Sequence, residues 1–403
     1  MKQERVFPRF VVTKKQEKNI KKGHPWIYAD EIIESSEIEE NGCVVDVFGG
    51  KSNYLGSGFY SETSKIRIRL LGNNANEKYD DAFFQRKVKY ALEYRYTAMQ
   101  EDIKACRLIH GESDGLPGLT VDRYNNILVT QVESVGTEKN KDVIYQALLD
   151  ELENHSEVID GIYERNEGEL RKKEGLKQYK GWYGEKHPSS CITEIVENGI
   201  KYEVDVENGQ KTGFFLDQKY NRRQVARLAK GMRVLDCCTH TGSFALNAAK
   251  GGAASVLAMD ISESALEMAQ KNAERNGLNL SFRQADVFEI LPALKKEHAQ
   301  FDFIVLDPPA FTKSRKTFHN ARKGYQEINT EAMRLLPRGG YLASASCSHF
   351  MPKDEFRKML CDAANEAGVS IRLIEERGAA PDHPVNPCIP ETEYLKFFLL
   401  QII

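Results

Sequence analysis

The sequence predicts an α/β protein: a carboxyl-terminal doubly wound, Rossmann-like domain behind a β-rich amino-terminal domain and a small central α+β domain. Three observations carry this. From residue 233 onward short apolar strands alternate with helical patterns, the signature of a sheet covered on both faces. Residues 1–72 alternate with period two and place glycines between the runs. Residues 73–185 open on one long run with apolar positions three and four apart. At 403 residues the chain exceeds what a single core organises, so two or three domains are expected and a lone small module is excluded.

In the first segment the strands are residues 10–13, 42–48, 54–60 and 66–71. Residues 14–22 hold five lysines against one glutamate, and residues 31–40 hold five glutamates and no basic residue. Lys14, Lys15, Lys21 and Lys22, next to Trp26, could follow a phosphate backbone; the plainer alternative is a solvated face. Whole-molecule charge is silent on partners, because 56 basic residues nearly balance 59 acidic ones.

In the second segment residues 80–99 form an amphipathic helix, and residues 107–123 form a glycine- and proline-marked turn leading to a strand at 127–132. A helix around 143–152 and a strand near 161–164 complete the unit. No chemistry is evident there. In the third segment, residues 186–403, Asn198-Gly199 between two alternating runs signals a two-residue hairpin. Strands follow at 233–236, 255–260, 280–286, 303–307 and 340–347, with helices at 244–249, 263–276, 325–336 and 353–367 and a last strand at 394–402. The Pro-rich stretch 381–390 is either a lid or a connection to that strand.

Ligands of such a sheet bind at the carboxyl ends of its strands. Asp236 ends the first strand and opens a turn of small residues that includes Cys238, Thr239, Thr241 and Gly242. Asp260 ends the second strand, 24 residues on, where a carboxylate can accept both hydroxyls of a ribose, and Ile261 follows it. Asp286, followed by Val287, ends the third. The turn has one glycine and lacks G-x-G-x-x-G, so a nucleoside cofactor without phosphates fits better than a dinucleotide. S-adenosylmethionine is such a cofactor, its amino acid tail at the first turn, its ribose at Asp260 and its adenine near Asp286. Each aspartate alone would more simply be a helix cap; three on consecutive strands favour the cofactor.

Asp307-Pro308-Pro309-Ala310-Phe311 ends the fourth strand, where two prolines stiffen the turn beside the cofactor's sulfur. Cys347 ends the fifth. C5 of a pyrimidine is too weak a nucleophile to take a methyl group directly; thiolate addition at C6 makes it one. Cys347 is therefore the candidate nucleophile and Asp307 the carboxyl group near N3, against the alternative of a buried strand cysteine. Cys237 and Cys238 are packing or cofactor-contact residues. A hydrolase using Cys347 with His349 lacks both a nucleophile-elbow motif and an orienting acid.

Residues 107–123 (RLIHGESDGLPGLTVDR), 209–218 (GQKTGFFLDQ), 236–244 (DCCTHTGSF), 307–311 (DPPAF) and 346–348 (SCS) together resemble the ribosomal large-subunit RNA cytosine-C5 methyltransferases of the RlmI type, nearly end to end. The resemblance implies a PUA-like RNA-binding domain over 1–72, a central α+β domain over 73–185 and a class I methyltransferase domain over 186–403. It implies S-adenosylmethionine as cofactor and a cytidine of 23S rRNA as target. It also implies that Phe215, Asp217 and Gln218 lie near the cofactor. No cysteine follows Asp-Pro-Pro, unlike RNA cytosine methyltransferases of the two-cysteine type. Lys313, Arg315, Lys316, Arg322 and Lys323 lie in an acid-free stretch, 311–323, that would be a loop holding phosphates beside a flipped-out base.

Two alternatives stay open: a base-nitrogen methyltransferase that needs no cysteine, and an RNA-binding ribosome-assembly factor without turnover. No membrane span, metal site or secretory signal is expected: the longest apolar runs are far short of a span, and the eight cysteines form no C-x-x-C pair. The expectation is a cytoplasmic protein, with a homodimer permitted.

Overall fold

The computed structural model describes residues 6–312 and 314–403. Contacts divide it into two compact units. The first contains residues 1–195, 204–216 and 381–392, the second residues 196–203, 217–380 and 393–403.

The first unit carries two sheets. β1 (Arg9–Val12), β2 (Trp26–Tyr28), β3 (Ile32–Ser35), β4 (Val44–Phe48), β5 (Tyr54–Tyr60) and β6 (Ile66–Gly72) form one, in the order β2-β6-β5-β4-β1-β3. Its inward residues Phe10, Val12, Ile27, Val45, Val47 and Ile68 make one core. The lysine-rich run is a helix, α1 (Lys14–Lys21), capped by the Thr13 hydroxyl accepting from Gln16 N. Gly58 has no substitute: a Cβ there would sit 2.2 Å from the Arg69 carbonyl oxygen on the neighbouring strand.

The second sheet follows α2 (Asp81–Met99) and contains β7 (Ala105–His110), β8 (Leu119–Tyr124) and β9 (Ile127–Val132). After α3 (Val135–Asn154) come β10 (Gly161–Asn166), α4 (Glu169–Lys173) and β11 (Tyr179–Tyr183), giving the order β11-β10-β9-β8-β7. The glycine- and proline-marked segment after residue 107 is thus mostly strand. Its charges are architectural. Arg95, fully buried, forks onto Asp114 at 2.6 and 2.8 Å, and Arg107 forks onto Asp122 at 2.7 and 2.8 Å. Thr212 donates to Asp122 at 2.6 Å. Residues 381–392 pack in this unit, where Asp382 accepts Arg107 N at 2.9 Å and its carbonyl accepts Arg95 at 3.0 Å.

A hairpin follows, β12 (Ile192–Glu197) and β13 (Ile200–Asp205). Asn198 and Gly199 have φ of 53° and 73°, the left-handed pair that a type I′ turn needs. The second unit then runs α5 (Lys219–Leu228), β14 (Arg233–Cys237), α6 (Ser243–Lys250), β15 (Ser255–Asp260), α7 (Glu263–Arg275), β16 (Ser281–Gln284), α8 (Val287–Lys296) and β17 (Phe303–Leu306). It closes with α9 (Phe318–Leu335), β18 (Tyr341–Ser346), α10 (Lys353–Ala367), β19 (Ile371–Arg377) and β20 (Lys396–Ile402). The sheet order is β16-β15-β14-β17-β18-β20-β19. The neighbours from β16 to β18 pair in parallel, and β20 enters antiparallel between β18 and β19.

Both faces are covered, as the near-continuous apolar strands require. Leu291, Ile328, Met333 and Met359 from α8, α9 and α10 pack on one face, and Val225, Phe244, Ala245 and Ala248 from α5 and α6 on the other. All four residues of β17 are buried, each contributing roughly 1.5–3 kcal/mol by burial of its side chain. Several elements differ from the sequence reading: α3 runs over Val135–Asn154 instead of 143–152, and α5, α8 and β19 are not among those expected. β16 stops at Gln284, two residues short of Asp286, and α9 starts at Phe318 instead of 325, its first turn held by Phe318 packed against the core and by buried Ala321.

Candidate active site

Parallel pairing brings the candidate residues to one edge of the second unit. Asp236 on β14 lies opposite Ala258 on β15 and Val305 on β17, Asp260 pairs with Gln284, and Leu306 pairs with Ser344. The carboxyl ends of five adjacent strands therefore present Gln284, Asp260, the turn after Cys237, Asp307 and the turn around Cys347 in that order. The strand order reverses between β14 and β17, which is where open α/β sheets bind ligands.

The cofactor half is a strained turn. Cys238 and His240 hold positive φ, 61° and 51°, and Gly242 holds 84° before α6, an arrangement that persists only when its surroundings enforce it. Asp236 supplies part of that enforcement: Oδ2 accepts Thr239 Oγ1 at 2.5 Å and Ala245 N at 2.9 Å. Its Oδ1 is buried with no hydrogen-bond partner among the described residues, and so is Thr241 Oγ1. Such orphans cost free energy unless a ligand satisfies them, and two of them in the first turn fit a polar amino acid tail. Burial pushes the Asp236 carboxyl up to about 7, against the hydrogen bonds from Thr239 and Ala245. Burial also pushes the Cys237 and Cys238 thiols well up, so neither is a ready thiolate.

Asp260 accepts His240 N at 2.8 Å and Ser262 N at 2.9 Å, which fixes its carboxylate at the strand end and leaves further lone pairs for hydroxyl groups. Ile261 is two-thirds exposed beside it. Asp286 is a helix cap, accepting Phe288 N at 2.8 Å at the start of α8, with Val287 as the first helical residue. The position near the third strand stands, but the residue serves the cap. These residues fit a nucleoside cofactor with an amino acid tail.

The other half is built on Asp307 and Cys347, both half-buried. Gln218 Nε2 donates to Asp307 Oδ1 at 3.1 Å, and Asn221, buried, holds the Gln218 carbonyl at 2.6 Å. Asp217 accepts the Tyr394 hydroxyl at 2.5 Å. Ser348 Oγ donates to the Thr312 carbonyl at 3.0 Å, tying the Cys347 turn to the Asp-Pro-Pro turn. Phe311 packs on Tyr325 at 4.5 Å, and Ser346 Oγ donates to the Tyr325 hydroxyl at 3.0 Å. A cleft of about 390 Å³ opens beside this turn, lined by Phe318, His349, Phe350 and Pro352. Phe215 belongs to the first unit, where Lys211 lies over its ring.

Sequence reading missed Asn221, Tyr325 and Lys396. Lys396 is buried at the start of β20, opposite Ser346, and donates to the carbonyls of Ser348 and Tyr394. One lysine opening an otherwise apolar strand was the available signal.

The basic residues are less uniform than their sequence suggests. Lys15 pairs with Glu31 and Lys21 with Glu17, while Lys14 and Lys22 are exposed. Trp26 Nε1 donates to Glu112 at 2.9 Å, and the Arg69 guanidinium lies over its ring, so structure occupies part of it. Arg322 and Lys323 lie on α9 and not in a loop, and Arg322 pairs with Asp362. Lys316 is exposed; Lys313 and the Arg315 side chain lie outside the described residues. Among the described residues no helix is long and apolar enough to cross a membrane, and no group of three or more His, Cys, Asp or Glu is placed to hold a metal.

Comparison with known proteins agrees with this geometry. Residues 182–397 match the family described as S-adenosylmethionine-dependent methyltransferase, and residues 10–73 match the PUA-like domain. Ribosomal RNA large subunit methyltransferase I of Pseudoalteromonas atlantica is 41% identical over 96% of this chain and 98% of its own length. The protein of the same name from Klebsiella pneumoniae is 38% identical over 99% of both. In fold, the chain superposes on the solved structure of SMU.776 complexed with SAH with a TM-score of 0.82, 21% identity and coverage of 98% and 99%. The chain belongs to the S-adenosylmethionine-dependent methyltransferase family, within the group of the ribosomal RNA large subunit methyltransferase I proteins.

Proposed function

We propose that this chain methylates C5 of a cytidine in 23S rRNA through a covalent adduct between Cys347 and C6 of the base. The observation that carries it is that Asp307 and Cys347 each directly follow one of two adjacent parallel strands, on the edge that holds the cofactor turn. The names of the relatives support a large-subunit rRNA substrate. In this reading residues 1–72 bind RNA, residues 186–403 carry the chemistry and residues 73–185 connect them, in the cytoplasm where ribosomes are made.

Asp236, Cys238, Thr239, Thr241, Gly242, Asp260, Ile261, Asp286, Val287, Asp307 and Gln218 would hold S-adenosylmethionine. That cofactor supplies an electrophilic methyl carbon on a positively charged sulfur. Cys347 adds to C6, the C5–C6 π pair moves into the ring, and the Asp307 carboxyl group beside N3 stabilises the charge that develops there. C5 then carries the electron density needed to take the methyl group. Loss of the C5 proton restores the double bond and expels the Cys347 sulfur. The aromatic cleft of Phe318 and Phe350 is suited to a base taken out of its stack. Lys14, Lys15, Lys21, Lys22 and Trp26, with Lys313, Arg315, Lys316, Arg322 and Lys323, would contact RNA, the exposed Lys14, Lys22, Lys316 and Lys323 most strongly.

The test is a trapping experiment with 23S rRNA carrying 5-fluorocytidine. Fluorine cannot leave C5 as a proton does, so the adduct accumulates and survives denaturation. A denaturant-stable protein–RNA band that is absent in Cys347→Ala is expected; no band with active wild-type protein would overturn covalent catalysis.

A further inference from the structure

We propose that Lys396 is the positioning residue of Cys347, its ammonium group holding the cysteine as a thiolate at the carboxyl edge of the sheet. The inference rests on Cys347 being the nucleophile of the proposed reaction. Lys396 opens β20, the antiparallel strand, and pairs with Ser346, the last residue of the strand that delivers Cys347. It is the sole basic residue of β20 and is only 3% exposed. Two of its three N–H donors go to the carbonyls of Ser348, directly after Cys347, and of Tyr394.

A lysine so buried needs a negative partner or gives up its proton. Two groups act to keep it charged, Cys347 first and Glu393 second, against burial, which pulls it down to about 8. At that value it is still about nine-tenths protonated at pH 7. Cys347 is faced by Lys396 from β20 and by Tyr325 from α9; Asp307 acts on the same Tyr325. Tyr325 is pushed up to about 12, chiefly by burial, so it stays neutral. Lys396 is then the cation among these groups.

The chemistry needs this. An ordinary cysteine is only a few per cent thiolate at pH 7. Ionisation of Cys347 releases its proton to solvent, and Lys396 keeps its own. The sulfur lone pair forms the bond to C6; when that bond breaks, the pair returns to sulfur, again opposite the ammonium. The hydrogen bond to the Ser348 carbonyl also ties down the Ser346–Ser348 turn, so charge and placement come from one side chain.

The experiment is the pH profile of iodoacetamide labelling at Cys347, read peptide by peptide on the full chain without RNA. Wild-type labelling should be half-maximal well below the ordinary thiol value of about 8.5. Lys396→Gln keeps an N–H donor and removes the charge; its profile should move up by about one pH unit, with labelling at pH 7 falling by about five- to tenfold. Lys396→Arg should restore the wild-type profile. A structural role alone would lower thermal stability in Lys396→Gln and leave the profile unmoved, which would overturn the proposal. If the variant does not fold, a wild-type half-maximum at or above 8.5 overturns it alone, and a value clearly below supports it. Retained methyl transfer by Cys347→Ala would instead sink the covalent reading while leaving the labelling profile intact.

Discussion

Two regions of the molecule, the Arg95–Arg107 cluster of the first unit and the turn after β14 in the second, treat buried polar groups in opposite ways. In the first, Arg95 and Asp114, Arg107 and Asp122, and the carbonyl and carboxylate of Asp382 satisfy one another within the unit. In the second, Asp236 Oδ1 and Thr241 Oγ1 are buried in the cofactor turn without such partners among the described residues. The first pattern is what a fold does with charge and the second is what a site does. Two of the segments that carry the family resemblance, 107–123 and 209–218, supply much of the first pattern, Asp122 and Thr212 included. A motif can therefore carry a family resemblance by building the scaffold and not the site.

The comparison can be broken or sharpened by mutation. The largest effect belongs to Cys347: Cys347→Ala should lower methyl transfer by roughly a thousandfold or more while leaving thermal stability and cofactor binding near wild type. Arg95→Ala should do the converse, leaving Asp114 without its cation at a cost of about 3–5 kcal/mol, seen as a fall in melting temperature. Asp260→Asn should weaken S-adenosylmethionine binding by about tenfold or more, since it loses charge-assisted hydrogen bonds to hydroxyls; calorimetry gives the number.

Asp236 adds a pH signature. Its carboxyl titrates near 7 in the folded chain and near 3.9 unfolded. Between those values the folded state keeps a proton that the unfolded state has lost, so stability is full below about 4 and falls as pH rises towards 7. The slope is at most ~1.4 kcal/mol per pH unit. Asp236→Asn should flatten melting temperature against pH in that window. The smallest effect is expected from Lys14, Lys22, Lys316 and Lys323: alanine at all four should weaken RNA binding and shallow its salt dependence, sequence preference unchanged.

Much of the site was legible in the sequence because strand ends announce themselves. Asp236, Asp260 and Asp307 each follow an apolar run, and parallel pairing converts those positions into neighbours. The Asn198-Gly199 turn was equally plain. What was hidden depends on long-range pairing. Arg322 reads as a phosphate contact until Asp362, on α10, is seen beside it. α8 was masked by Pro292 inside it, a residue that usually interrupts a helix. Lys396 looks like a solvent-facing strand start, and only its register with Ser346 shows that it is buried. The 381–392 segment shows its role only through Asp382 meeting Arg95 and Arg107, far away in sequence.

The central claim is cytosine C5 chemistry through Cys347. Its most direct test is nucleoside mass analysis of unmodified 23S rRNA incubated with S-adenosylmethionine and either wild-type protein or Cys347→Ala. The account predicts new 5-methylcytidine with the wild type and none with the variant; a methylated ring nitrogen, or product that survives the substitution, would contradict it.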